Sequence, residues 1–169
     1  MITYKDLCNA WKKDIDTKSK IRTQLIEAAL KFAVELAKNL GLQDKRYNLN
    51  GQEKKYVRLD PYKNGEKSED NFLDIPMFKN EDIFYIDYAL SLVLERDEKS
   101  SQRTNFYIPF KNYIENENLI IQVNDGRPQS DKTRFEIPVT SSEYSDIEAA
   151  FQAPVEEYKR MIMEKYKAL

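Results

Sequence analysis

TKSKIRTQLIEAALKFAVELAKNL, residues 17–40, carries its apolar side chains on two adjoining helical stripes. Ile21, Leu25, Ala28, Phe32 and Leu36 make one stripe, Ile26, Leu30, Ala33 and Ala37 make the other, and Val34 and Leu40 widen the surface. The polar remainder is a narrow strip of Gln24, Glu27, Lys31, Glu35 and Lys38, whose charges alternate at i, i+3 or i+4 spacing and support one another weakly. A helix that is apolar over more than half its circumference needs neighbours on two sides. The segment is therefore expected to be the central core helix, closed by Gly41 in the left-handed conformation. Charges recur too often along it for a bilayer segment.

On the N-terminal side, Thr3-Tyr4-Lys5-Asp6 reads as a variant capping box with Asp6 in place of the usual Glu. It predicts a short helix from about Tyr4 to Asp14, with Leu7 and Trp11 as its buried edge. Lys12, Lys13, Lys18, Lys20 and Arg22, diluted by Asp14 and Asp16, then read as a solvated junction between two helices.

On the C-terminal side the pattern changes to short strands. Asn50-Gly51 marks a hairpin turn within a second basic stretch of Lys45, Arg46, Lys54, Lys55 and Arg58, where Tyr47 and Tyr56 interleave and Asp44 and Glu53 oppose. Residues 56–60 alternate and stop at Pro61, as an edge strand does. Residues 64–71 read as an exposed loop, after which Phe72, Leu73, Ile75, Met77 and Phe78 are expected to return to the core.

Residues 83–96 give the clearest strand. Its even positions Phe84, Ile86, Tyr88, Leu90, Leu92 and Leu94 form an unbroken apolar face for the central helix, while the odd positions are mixed. Strands over 106–110, 119–123 and 133–137 follow at hairpin spacing, although Pro109 speaks against the first. Connections too short for a helical crossover imply an antiparallel meander. Thr140 and Glu143 form another capping box, opening a helix that buries Tyr144, Ile147 and Phe151; Pro154 then starts a last helix carrying Val155, Tyr158, Ile162 and Tyr166. The expected fold is a single α+β domain over residues 1–169: N-terminal helices including a long central core helix, an antiparallel β-meander packed on it, and C-terminal helices.

Composition narrows the function. The 169 residues are 41% hydrophobic and 33% charged with a net charge of −2, which suits a globular chain without a dominant field. Generic DNA binding through bulk charge and acidic DNA mimicry are both disfavoured. With no histidine and with Cys8 alone, there is no internal disulfide, Cys/His zinc site, Ser-His-Asp triad or Cys-His dyad. Residues 1–10 lack a basic start followed by an apolar run, so a cytoplasmic protein without a membrane partner is expected.

If the strand register holds, the second sheet face displays Tyr85, Asp87, Ser91 and Glu95, then Tyr107 and Lys111, Gln122, and Arg134 with Glu136, next to Tyr56, Arg58 and Asp60. Tyrosine and arginine among short polar residues compose a recognition surface. The expected partner-binding residues are Tyr85, Tyr107, Lys111, Gln122 and Arg134, and the expected function is that of a small cytosolic, non-catalytic interaction protein. An inhibitor, an immunity-type protein or an assembly subunit, binding a protein partner and needing no cofactor, fits that description. The plainer alternative is an ordinary outer face or one covered by the C-terminal helices. Two other classes compete. A nucleic-acid-binding module could use the basic stretches, but the glycine and aromatic signature of an RRM is missing. A magnesium-dependent nuclease could use Asp60, Asp87, Glu95 and Glu136. The Asp/Glu-x-Lys strings at 16–18, 53–55, 97–99 and 157–159 lie outside the expected strands, and there is no Walker A string or Gly-x-Gly.

Overall fold

The computed structural model of the chain describes residues 1–68, 71–97, 99, 101–130, 132–138 and 149–167. The order of elements is α1 (Tyr4–Asn39), β1 (Arg46–Leu49), β2 (Gln52–Lys55), β3 (Val57–Lys63), β4 (Glu66–Lys67), a 3-10 turn (Phe72–Asp74), β5 (Met77–Asn80), β6 (Ile83–Glu95), β7 (Arg103–Glu115), β8 (Asn118–Val123), β9 (Arg134–Pro138) and α2 (Gln152–Lys167). The fold is α+β. β4-β3-β6-β7-β8-β9 form one antiparallel sheet, with β5 sharing the β3 edge of β6, and β1-β2 stand apart as a hairpin.

The two expected N-terminal helices are one. α1 runs without a break for 36 residues because nothing between Ile15 and Lys20 interrupts it. No glycine or proline occurs there; Thr17 turns its hydroxyl onto the Lys13 carbonyl at 2.8 Å, and Lys18 pairs with Asp14 at 2.6 Å across one turn. Thr3 and Asp6 form the expected capping box at the start. At the other end Gly41, at φ +69°, lets its own N–H reach Lys38 O and the Leu42 N–H reach Ala37 O at 2.8 Å, which satisfies two terminal carbonyls.

Only the C-terminal part of α1 enters the core. Leu25, Ile26, Ala28, Ala29, Phe32 and Leu36 are buried against β3, β6 and β7. From Tyr4 to Lys20 every residue but Cys8 is exposed, and Leu7 and Trp11, expected as a buried edge, are 59% and 69% exposed. Periodicity showed which side of the helix is apolar, not that a neighbour covers it. Glu35 departs the other way: expected on the solvent strip, it is 4% exposed and ion-paired with Lys31 at 3.0 Å.

The even positions of β6 from Ile86 to Leu92 face α1 as expected and are buried. β7 is much longer than expected and keeps Pro109 at its centre. The peptide groups of β7 alternate between its two neighbours, and Asn124 N–H donates to Pro109 O at 2.8 Å, so the proline's missing donor faces the β8 side. The β7–β8 ladder ends there, at Phe110 opposite Val123, and the β6–β7 ladder loses nothing. Asn50 and Gly51 both have positive φ, as a tight hairpin turn requires, and Asn64 with Gly65 repeats this between β3 and β4, within the stretch expected to be loop. Of the residues expected to re-enter the core after it, Ile75 is fully buried, but Leu73 and Phe78 are exposed.

α2 lies on the same side of the sheet as α1, with Phe151, Val155 and Tyr158 in the same core. Phe110 meets Phe32 edge-on at 5.0 Å and stacks on Tyr88 at 5.8 Å and Tyr158 at 6.3 Å. The helix expected to open at Thr140 and Glu143, with Tyr144 and Ile147, lies outside the described residues. No helix among the described residues is long and apolar enough to cross a membrane.

Two measurements check this arrangement. Phe32→Ala or Leu36→Ala leaves a cavity under the sheet and is expected to cost about 2–5 kcal/mol in denaturant unfolding, while Glu27→Ala on the exposed strip stays within about 0.5 kcal/mol. Trp11 is the chain's single tryptophan, so acrylamide should quench the native emission nearly as fast as that of the unfolded chain. A strongly protected indole would mean that α1 is covered along its first turns.

Candidate recognition surface

With both helices on one side, the opposite face of the sheet is built by strand register alone. Directly opposed residues in an antiparallel ladder share a face. Asp87 lies opposite Lys111, Lys111 opposite Gln122, and Gln122 opposite Arg134, which makes one continuous row across β6, β7, β8 and β9. The neighbouring rows are Tyr85, Tyr113, Ile120 and Glu136 on one side, and Arg58, Ser91 and Tyr107 farther along. All five sequence-derived partner-binding residues, Tyr85, Tyr107, Lys111, Gln122 and Arg134, therefore stand on this face. No described helix packs on it.

Four of these side chains are held by contacts with each other or with neighbouring residues. Lys111 Nζ sits 4.5 Å from the centre of the Tyr85 ring, which also packs on Phe78 at 5.6 Å. Gln122 Oε1 accepts from Tyr113 and Gln129 at 3.2 Å each. Arg134 pairs with Glu115 at 3.1 Å and with Glu136, and the hydrogen bonds to Glu136 and Tyr113 hold its guanidinium still more firmly protonated. Tyr107 is 41% exposed and is the most open aromatic of the five. Between the large residues lie buried Ala89, Ser91 and Pro109, which give the face a low centre flanked by Tyr107 and Lys111.

The acids of the nuclease alternative are dispersed, each with its own partners. Asp60 is 2% exposed and receives Ser91 Oγ at 2.7 Å, Arg58 at 2.9 Å and Lys67 at 3.5 Å. Glu95 takes the Tyr56 hydroxyl and lies 3.4 Å from Arg103, and its hydrogen bond pushes the Tyr56 phenol upward. Glu136 is held by Arg134. Along the strand, Glu95 is eight residues from Asp87, about 26 Å, and Glu136 is three strands away, about 14 Å. Only Asp60 and Asp87 are diagonal neighbours. Among the described residues no three Asp, Glu, Cys or His side chains are grouped as a metal site would need.

Asp87 is the acid whose environment bears on the surface. Burial raises its carboxyl above the ordinary range, and Lys111 opposite pulls it part of the way back. Asn124 Nδ2 donates to it at 3.2 Å. Tyr62 beside it is raised mainly by its own burial, with smaller contributions from Tyr107 and Asp87.

The basic stretches have different fates. In the first, Arg22 is not solvated: it donates to Ile75 O at 2.8 and 3.1 Å and to Leu73 O, tying α1 to the segment before β5. In the second, Arg46, Lys54, Lys55 and Arg58 line a groove at the edge of the sheet, which the sequence pattern did not disclose. Comparison with protein-family models, curated proteins and solved structures finds no match to the chain.

The Asp87 shift has a definite sign. A carboxyl with a raised folded pKa binds its proton more tightly in the native state, so stability is lost as pH rises from about 3.9 through the folded value, and the loss is complete above it. Asp87→Asn keeps the acceptor for Asn124 and removes the buried charge. It is expected to raise the melting temperature at pH 7, with the gain fading as the pH falls through the raised folded value and gone below about 3.9. A lower melting temperature at pH 7 would mean that Lys111 outweighs desolvation.

Proposed function

We propose that the protein is a small, non-catalytic interaction protein that binds a protein partner through the open face of its sheet. One observation carries this reading. Tyr85, Tyr107, Lys111, Gln122 and Arg134 reach the same face from β6, β7, β8 and β9, on the side away from both helices. Tyr and Arg anchor interfaces well because a ring offers much contact area for few rotatable bonds and a guanidinium binds a carboxylate in a fork. Contacts with each other and with Phe78, Tyr113, Glu115 and Glu136 hold four of them in place before a partner arrives, which lowers the ordering cost of binding. An inhibitor, an immunity-type protein or an assembly subunit would each use such a surface. Binding inside the cytoplasm belongs to the same proposal.

The test is to place a photo-crosslinking benzoylphenylalanine at Tyr107, identify the adduct in the protein's own cells, and measure the affinity of that partner for the Tyr85→Ala/Tyr107→Ala/Arg134→Ala variant. The expected outcome is a protein adduct, with binding weakened about tenfold or more, or about 1.4 kcal/mol, and little change in melting temperature. Nucleic-acid adducts would favour the nucleic-acid-binding reading instead. Unchanged affinity would place recognition elsewhere on the molecule.

A further inference from the structure

The first half of α1 extends beyond the core that its second half organises. Among the described residues, the first hydrogen bond from α1 to another element comes from Arg22, to the Ile75 and Leu73 carbonyls. Before it, Tyr4 to Lys20 form an arm about 25 Å long at 1.5 Å per residue, exposed at every position but Cys8. A separate helix of that length is marginal in water. The capping box at Thr3, the Asp14–Lys18 pair and continuity with the buried half support this one. None of these supports calls for an apolar side chain on the arm.

The arm nevertheless carries an apolar stripe. Tyr4 is 83% exposed, Leu7 59%, Trp11 69% and Ile15 44%. Tyr4, Cys8, Trp11 and Ile15 are spaced by four, three and four residues, which is the a/d seam of helix-on-helix packing, and Leu7 stands beside it. After Lys18 and Arg22 the same seam continues in register as Leu25, Ala29, Phe32 and Leu36, which are buried in the core. The side of α1 that is covered within the core is therefore uncovered along the arm. Contiguous exposed apolar surface of this kind marks an interaction site.

Charge selects the occupant. With Tyr4 and Trp11 at d, Lys5 and Lys12 both fall at e, on one flank of the seam. Both are exposed, and among the described residues neither pairs with a carboxylate. On the other flank Asp14 is taken by Lys18 at 2.6 Å. A second copy of the arm fits this pattern poorly. Antiparallel pairing would set e against e, lysine on lysine, and parallel pairing would set Lys12 against Leu7.

We infer that the arm of α1 docks an amphipathic helix of a protein partner, one that carries acidic residues beside its apolar seam. Tyr4, Leu7, Trp11 and Ile15 pack into that seam, and the partner's carboxylates meet Lys5 and Lys12. Because the arm is helical beforehand, docking orders only the partner. The surface shares no residue with the open sheet face.

The probes are two designed helical peptides with Leu and Ile at the seam, one with Glu and one with Lys at the flanking positions, added to the full chain. Trp11, the single tryptophan, reports docking. The Glu peptide is expected to shift its emission to the blue, to shield it from acrylamide, and to bind about tenfold or more tighter than the Lys peptide. Lys5→Glu/Lys12→Glu should reverse that preference, and Leu7→Asp/Ile15→Asp should abolish binding of both peptides. These positions are exposed, so circular dichroism and melting temperature should stay unchanged in both variants. The Tyr85→Ala/Tyr107→Ala/Arg134→Ala variant should bind the Glu peptide as the unaltered chain does, which separates this surface from the open sheet face. Failure of the Glu peptide to bind, equal binding of the two peptides, or a preference unmoved by the charge reversal would each overturn the inference. So would an indole already shielded in the free chain, Trp11-dependent dimerisation in sedimentation, or tighter binding to phosphatidylserine vesicles than to the Glu peptide.

Discussion

Phe110 is the contact on which the rest of the molecule depends. Its ring is enclosed by Phe32 of α1, Tyr88 of the neighbouring strand and Tyr158 of α2, so both helices and the two longest strands meet at one side chain. Aromatic pairs of this geometry contribute about 0.5–1.5 kcal/mol each beyond the apolar area that they bury. The polar ends of the rings are also placed. Tyr158 donates to Leu90 O at 2.8 Å, and Tyr88 donates to Asn112 Oδ1 at 2.9 Å. Asn112 passes the constraint on, since its Nδ2 donates to the Leu25 carbonyl of α1 at 3.3 Å. Burial raises both phenols well above the ordinary range, so these donors keep their protons at any physiological pH. Hydrogen bonds of this kind specify the position of a ring where packing alone would allow it to slide.

The consequence for function is geometric. Because α1 and α2 converge on the Phe110 side, no described helix covers the other side of the sheet, and among the described residues its side chains are ordered mainly by cross-strand contacts. Antiparallel sheets tolerate this, with one face in the core and one in water. The unusual part is what the open face displays: tyrosines, a lysine stacked on a ring, and an arginine between two glutamates.

Much of this was legible in the chain, for local reasons. The even positions of β6 repeat every second residue over six apolar side chains, and that alone placed Tyr85 and Asp87 on the open face. Asn50-Gly51, Thr3 with Asp6, and Gly41 are local signals acting through φ or a cap, and each acts where the sequence puts it. What was not legible is non-local. The length of β7 depends on which neighbour the missing donor of Pro109 faces, and no residue near Pro109 states that. The exposure of Leu7 and Trp11 depends on what packs beside them, while their spacing records only a shared side of the helix. A division of α1 at Asp14 was inferred from a charge cluster, which is too weak a signal to end a helix that contains no glycine or proline. The groove needs β3, the β1–β2 hairpin and α1 together, and those segments are far apart in the chain.

The central claim is that the sheet has one face under the helices and one open to a partner, and cysteine accessibility along β7 tests it most directly. In a Cys8→Ser background, single cysteines at Tyr107, Ile108, Phe110 and Lys111 are labelled with a maleimide under native conditions. Rapid labelling is expected at 107 and 111 and protection at 108 and 110, until denaturant exposes all four alike. Protection at 107 and 111 as strong as at 108 and 110 would mean that the face is covered, and would contradict the account.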